Sequence, residues 1–223
     1  MQVLYEDNHI IAVSKTCHEI VQGDKTGDTP LSETVKAYIK EKYQKPGEVF
    51  LGVTHRLDRP TTGVVLFART SKALTRLNAM FQSHEQIQKI YWAIVSTDNG
   101  EVRLENYLWR NEKQNKSFVV KPGIKDAKRA VLSYKVVARA ERYMLLEINL
   151  ETGRHHQIRC QLAAIGLPIK GDLKYGAKRS NPDGGISLHA RKIELIHPVS
   201  KQPISITAPV PDDVLWHALE QQI

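Results

Sequence analysis

Residues 54–63, Thr54-His55-Arg56-Leu57-Asp58-Arg59-Pro60-Thr61-Thr62-Gly63, set one carboxylate between two arginines and close to a histidine. Flanking cations favour the ionised form of a carboxylate. An ionised aspartate held in a turn can serve as nucleophile or general base. On spacing alone, a salt-bridged turn without chemistry explains the same residues. A second segment, Lys89-Ile90-Tyr91-Trp92-Ala93, reads as strand. Lys89, Tyr91 and Ala93 then share one face, and Ile90, Trp92 and Ile94 the other. That predicts a core on one side of the sheet and a polar cleft on the other, or more plainly a tyrosine packed at a sheet edge. The third segment, Thr152-Gly153-Arg154-His155-His156-Gln157-Ile158-Arg159, leads from strand into helix. Gly153 suits the tight junction. From the first turns of that helix Arg159 can grip a carboxylate bidentately; the plainer alternative is a surface arginine.

Positioning such groups takes a scaffold, and its pattern is legible. Short β-branched runs read as strands over residues 3–5, 9–13, 49–53, 63–68, 89–95, 130–137, 143–150, 188–196 and 203–206. Helices are fewer. Thr29 and Pro30 look like the cap and first residue of one whose apolar face carries Leu31, Val35, Tyr38 and Ile39. A second starts near Ser71 with Leu74, Leu77, Met80 and Phe81 at helical spacing. A third covers roughly 155–165 and stops at Gly166 and Pro168. Asp212 is the expected cap of a last one carrying Leu215, Trp216 and Leu219. Strands dominate without strict alternation with helices, so the fold class is α+β on a largely antiparallel sheet. No Gly-x-Gly-x-x-Gly and no Gly-Lys-Ser/Thr loop occurs, so nucleotide cofactors have no support.

Charge points to a partner. The chain of 223 residues carries a net charge of +8, and basic side chains that neutralise phosphates release counterions. Between residues 110 and 129 lie seven basic residues and two acidic ones. A polyanion is the natural ligand; a solvated surface segment is the plainer reading. Cys17 and Cys160 show no metal-ligand spacing and read as reduced thiols. His155 and His156 are adjacent and cannot both face one way, so no zinc site is expected. A metal-dependent nuclease would need clustered carboxylates, whereas Asp58 stands alone among arginines. No run approaches the ~20 apolar residues of a membrane-spanning helix, and no secretory signal precedes the first strand, so the expected location is the cytoplasm.

Taken in order, the three segments resemble the RluA family of RNA pseudouridine synthases. His55-Arg56-Leu57-Asp58 with Thr61-Thr62-Gly63 looks like its HRLDxxTSG motif. Lys89-x-Tyr91-x-Ala93 and Gly153-Arg154-x-His156-Gln157-Ile158-Arg159 resemble its second and third motifs. Gly171-Asp172-x-x-Tyr175-Gly176, Leu188-His189-Ala190, His197-Pro198 and Ala208-Pro209-Val210-Pro211 are similar to its C-terminal signature. The resemblance implies a long, bent, mainly antiparallel sheet with flanking helices and a central active-site cleft. It implies isomerisation of uridine in ribosomal or transfer RNA to pseudouridine, with no cofactor and no metal. By position, Asp58 matches the catalytic aspartate, Tyr91 the tyrosine that stacks on uracil, and Arg159 the arginine that pairs with the aspartate. Arg56 matches the residue that fills the stack when the target nucleotide is flipped out, a step required because a stacked glycosidic bond is inaccessible. His55, Arg59, Lys89 and Arg154 accompany these as RNA contacts, and Leu188 lines the base pocket.

Two departures stand out. Thr62 replaces a serine and keeps the hydroxyl. Lys15-Thr16-Cys17-His18 stands where relatives usually read Lys-Pro-x-Gly, which predicts a differently shaped loop after Lys15. The expected organisation is one catalytic domain over 1–223 without an N-terminal RNA-binding domain, acting as a monomer and gripping RNA through residues 110–129. Two other functions compete: an RNA-binding or RNA-folding protein on the same scaffold, and an N-glycosidase that uses Asp58 to release uracil.

Overall fold

In chain order the elements of the computed structural model, which describes residues 1–96 and 102–223, begin with β1 (Gln2–Glu6), β2 (Ile10–Lys15), α1 (Leu31–Lys42), β3 (Gly52–Val53), β4 (Thr62–Ala68), α2 (Ser71–Ser83) and β5 (Ile87–Ser96). They continue with β6 (Val102–Asn111), β7 (Lys116–Val120), β8 (Lys128–Arg139), β9 (Tyr143–Leu150), α3 (Gln157–Ala164), β10 (Leu188–Ile196), β11 (Pro203–Thr207) and α4 (Val214–Glu220). Contacts divide the chain into two units: Met1–Ile87 with Arg191–Pro209, and Gln88–Ala190 with Val210–Ile223.

In the first unit β2 lies antiparallel between β1 and β4, with Ile11 opposite Phe67 and Val13 opposite Val65. Residues 10–13 of β2 and 63–68 of β4 are continuous apolar runs buried on both faces, as the interior of a sheet demands. The remainder of β10 pairs with β11. Helix α2 lays Ala73, Leu77 and Met80 on Ile10, Ala12, Leu66 and Ile193. It starts where Thr70 accepts from the Ala73 N–H and ends at His84 in the left-handed region. Helix α1 buries Leu31, Val35 and Ile39, but its cap is Pro30 and Thr29 lies outside it. The start read from the sequence is therefore one residue early: Pro30 has an extended backbone and contributes no side-chain hydrogen bond. The strand read over 49–53 shortens to β3, because Phe50 is 49% exposed and breaks the apolar run.

In the second unit the antiparallel order is β5-β9-β8-β6-β7. Strands β6 and β7 form where the sequence reading assigns no element. Their signal is weak: Leu104 and Leu108 are the fully inward positions of β6, and polar residues fill most of the rest. Helix α3 packs on this ladder through Cys160, which meets Leu108, Ala130 and Tyr175. Helix α4 sets Trp216 and Leu219 against Trp92, Ile94 and Leu145. Its cap is Asp213, whose carboxylate accepts from the N–H groups of Leu215 and Trp216, and not Asp212, which is fully exposed. A further correction concerns β5. Lys89 and Tyr91, on the face expected to border a polar cleft, are buried at 6% and 9% exposure, as deeply as Ile90 and Trp92 on the other face at 9% and 5%. The chain is thus α+β with mostly antiparallel strands, and no helix among the described residues is long and apolar enough to cross a membrane.

Candidate active-site segments

Asp58 sits half-buried on the loop between β3 and β4, and a lysine holds that loop from below. Strand β2 alternates Ile11, Val13 and Lys15 on one face, which carries Lys15 inward to 1% exposure. Its Nζ donates to the carbonyls of Thr16 (2.8 Å), Arg59 (2.8 Å), Thr61 (2.7 Å) and Asp58 (3.2 Å). An ammonium has three donors, so two of these four carbonyls share one. The Thr61 N–H closes the turn onto the Asp58 carbonyl at 3.0 Å. Lys15 therefore fixes the main chain from Asp58 to Thr61 without touching the Asp58 carboxylate in these bonds. This residue was noticed in the sequence only as the edge of an unusual loop; the signal for its role was its place on an apolar strand face.

Burial pulls Lys15 down to about 8, opposed by the negative groups of Glu19, Cys17 and Asp58. It stays protonated at neutral pH, at a cost that the four carbonyls offset. We expect Lys15→Met to leave those carbonyls short of a donor and to destabilise the fold by about 1–3 kcal/mol, read by denaturant unfolding. The pH sign follows from a folded value below the ordinary 10.5. The unfolded chain binds the proton more tightly, so this group's desolvation cost is fully present below about 8 and is relieved as pH rises towards 10.5. Between those limits wild-type stability should rise relative to Lys15→Met; a gap that narrows would contradict the assignment.

The neighbours of Asp58 are placed differently from one another. Arg56 is exposed. His55 is turned inward: its Nε2 accepts from the Leu66 N–H at 3.0 Å, and its ring stacks on Phe81 at 4.7 Å. Arg59 reaches sideways to Asp28 (2.7 Å) and to the Thr26 hydroxyl (3.0 Å), tying the 24–28 turn to the Asp58 loop.

In the second unit the third motif is built around Gln157. Its Oε1 accepts from the Thr152 hydroxyl and the Arg154 N–H, and its Nε2 donates to the Val131 carbonyl. One amide thus fastens the strand-to-helix junction to β8. Lys89 lies beside that junction: a Cβ on Gly153 would stand 3.6 Å from its Nζ. Burial first, then the Arg154 charge, lowers Lys89 to about 8. Arg154 is exposed and donates through Nε to the Arg129 carbonyl.

Arg159, 5% exposed, makes a bidentate pair with Asp172 at 2.7 and 2.9 Å, and its guanidinium lies 5.1 Å over the Tyr175 ring. Tyr175 in turn shares a hydrogen bond with His156 Nδ1 at 2.9 Å and accepts from the Ser117 N–H. His156 is pushed down to about 2, chiefly by burial and then by Arg159, so the imidazole is neutral. Asp172 and Tyr175, present in the sequence only as parts of a signature, are what hold Arg159. Tyr91 and Leu188 are buried, Leu188 at the start of β10.

Comparison with known proteins gives this arrangement its context. Residues 9–164 match the family described as RNA pseudouridylate synthase. The ribosomal large subunit pseudouridine synthase D of Xanthomonas campestris is 31% identical over 96% of the chain and 67% of its own length. The tRNA pseudouridine synthase C of Pectobacterium carotovorum is 32% identical over 93% of the chain and 58% of its own length. The chain thus spans about two thirds of the length of the first relative and less of the second. Among solved structures, human RNA pseudouridylate synthase domain containing 4 has the same fold, with a TM-score of 0.78 at 22% identity over 96% of this chain and 90% of that one. On the family match and on the relatives of more than 30% identity, the chain belongs to the RNA pseudouridylate synthase family.

Proposed function

We propose that this protein isomerises uridine in RNA to pseudouridine. The N-glycosidic bond breaks, the uracil turns, and a ring carbon rejoins the sugar; nothing is gained or lost, so no redox cofactor takes part. Asp58 is the attacking carboxylate, Tyr91 packs on the uracil, and Arg159 orients Asp58. Arg56, the exposed arginine of the Asp58 loop, fills the stack vacated by the flipped nucleotide. Lys89 and Arg154 contact RNA, Leu188 borders the base, and His55 and Arg59 shape the loop that presents Asp58. The observation that carries the reading is that Asp58, Tyr91 and Arg159 are all present in a chain of this family, with the Asp58 loop fixed by a buried lysine.

The substrates of the named relatives, ribosomal and transfer RNA, are the two candidates, and the working form is a monomer in the cytoplasm where those RNAs lie. The test is pseudouridine mapping of total RNA from cells with and without the gene. One or a few sites should lose pseudouridine and regain it when the wild-type protein is restored. Unchanged sites, with RNA still bound, would favour a binding protein. Free uracil and abasic sites in place of pseudouridine would mean a glycosidase.

A further inference from the structure

A pocket of about 510 Å³ opens in the second unit, within the ~300–1,000 Å³ range of ligand sites. Strand register explains its lining. Leu108 on β6 faces inward beneath α3, and Arg110, two residues on, shares that face beyond the helix. Lys128 on β8 stands opposite Leu108, and Ser117 on β7 opposite Arg110. Arg154 and His155, just before α3, close the other wall. The wall is fixed: the Ser117 hydroxyl donates to the His155 carbonyl at 2.7 Å and bonds its Nδ1 at 2.9 Å, while Arg154 is tied through Nε to β8. Among the described residues, neither Arg110 nor Lys128 has a carboxylate within 4 Å. Glu112, Asp126, Trp109 and Gly153 complete the lining.

Three cations converging with two acceptors fit neither a bare polyphosphate, which the carboxylates would repel, nor an apolar group. Resting on the reading above, we infer that this pocket holds one nucleotide of the substrate RNA other than the target uridine. Arg110, Lys128 and Arg154 take its phosphate, and Glu112 or Asp126 accepts from a ribose hydroxyl or a base N–H. Within the basic stretch 110–129, the grip then belongs to the pocket and not to charge at large.

The experiment is equilibrium binding of the full chain to unmodified large-subunit ribosomal RNA and tRNA transcripts between 50 and 300 mM salt, on the order of the range over which phosphate contacts are resolved. Arg110→Gln with Lys128→Gln should raise Kd at least about tenfold and make log K against log salt shallower by about 0.7, the value for one single-strand phosphate contact. Both residues are exposed, so the fold survives, as circular dichroism should verify. Lys121→Gln with Lys125→Gln removes the same charge from the turn outside the pocket and should change the slope by less than half as much. An unchanged slope in the first pair, or an equal loss in the second, would overturn the subsite. Wild-type protein that forms no pseudouridine, with the slope still lost in the first pair, would overturn the proposed reaction and leave the subsite standing.

Discussion

Asp58→Asn is expected to stop pseudouridine formation while leaving RNA binding within about threefold of wild type. The size of the loss should be on the order of 10⁴-fold or more in single-turnover rate, as when a nucleophile is deleted from a site whose binding machinery survives. An amide matches a carboxylate in shape but carries no charge and is a poor nucleophile. The loop should not move, because Lys15 holds it through the main-chain carbonyls of residues 58, 59 and 61. The substitution changes only atoms beyond that frame. Rapid-quench assays on the same two RNA transcripts, with Kd measured in parallel, check both halves. A residual rate within tenfold of wild type would remove Asp58 from the attacking role. Lost affinity together with lost rate would say that the carboxylate serves to hold the loop.

How far the sequence leads depends on where information is stored. Strands such as β2 and β4 were legible because their runs are mostly apolar, and α2 because its apolar residues keep helical spacing. The β6–β7 hairpin was not, since only Leu104 and Leu108 of β6 point fully inward and the basic residues mask the alternation. The caps of α1 and α4 were each misplaced by one residue, because adjacent residues compete and only geometry chooses: Asp213 has the extended backbone that aims its carboxylate at the helix, where it accepts from Leu215 and Trp216. In the site segments, short-range patterns marked Asp58, Tyr91 and Arg159. The residues that hold them were silent, because Lys15 lies 43 positions from Asp58 and Asp172 lies 13 from Arg159. His55 is the opposite case. Its place in a charged motif suggested RNA contact, while its ring is engaged by the β4 backbone and Phe81.

The Arg159–Asp172 pair should give the second large effect, and a double-mutant cycle should separate holding from chemistry. Asp172 is 1% exposed, so Asp172→Leu removes the charge that pairs bidentately with a buried guanidinium. Losing that charge-assisted pair should cost about 1.5–3 kcal/mol, the usual contribution of a hydrogen bond to a charged group. Arg159→Met should cost a similar amount by stranding the aspartate. Arg159→Met combined with Asp172→Leu removes both charges and should recover most of the stability, since apolar replacements of buried pairs are often neutral. Activity should not follow. If Arg159 orients Asp58, the double variant folds, binds RNA and remains at least about 10²-fold slow, a loss of the size expected for misplacement of a reacting group. Asp172→Glu, which keeps the charge, should restore part of both properties. Unfolding midpoints and single-turnover rates measured on the four proteins of the cycle and on Asp172→Glu decide the matter: activity that returns with stability in the double variant would reduce Arg159 to a structural residue, and the orienting role would have to pass to another cation.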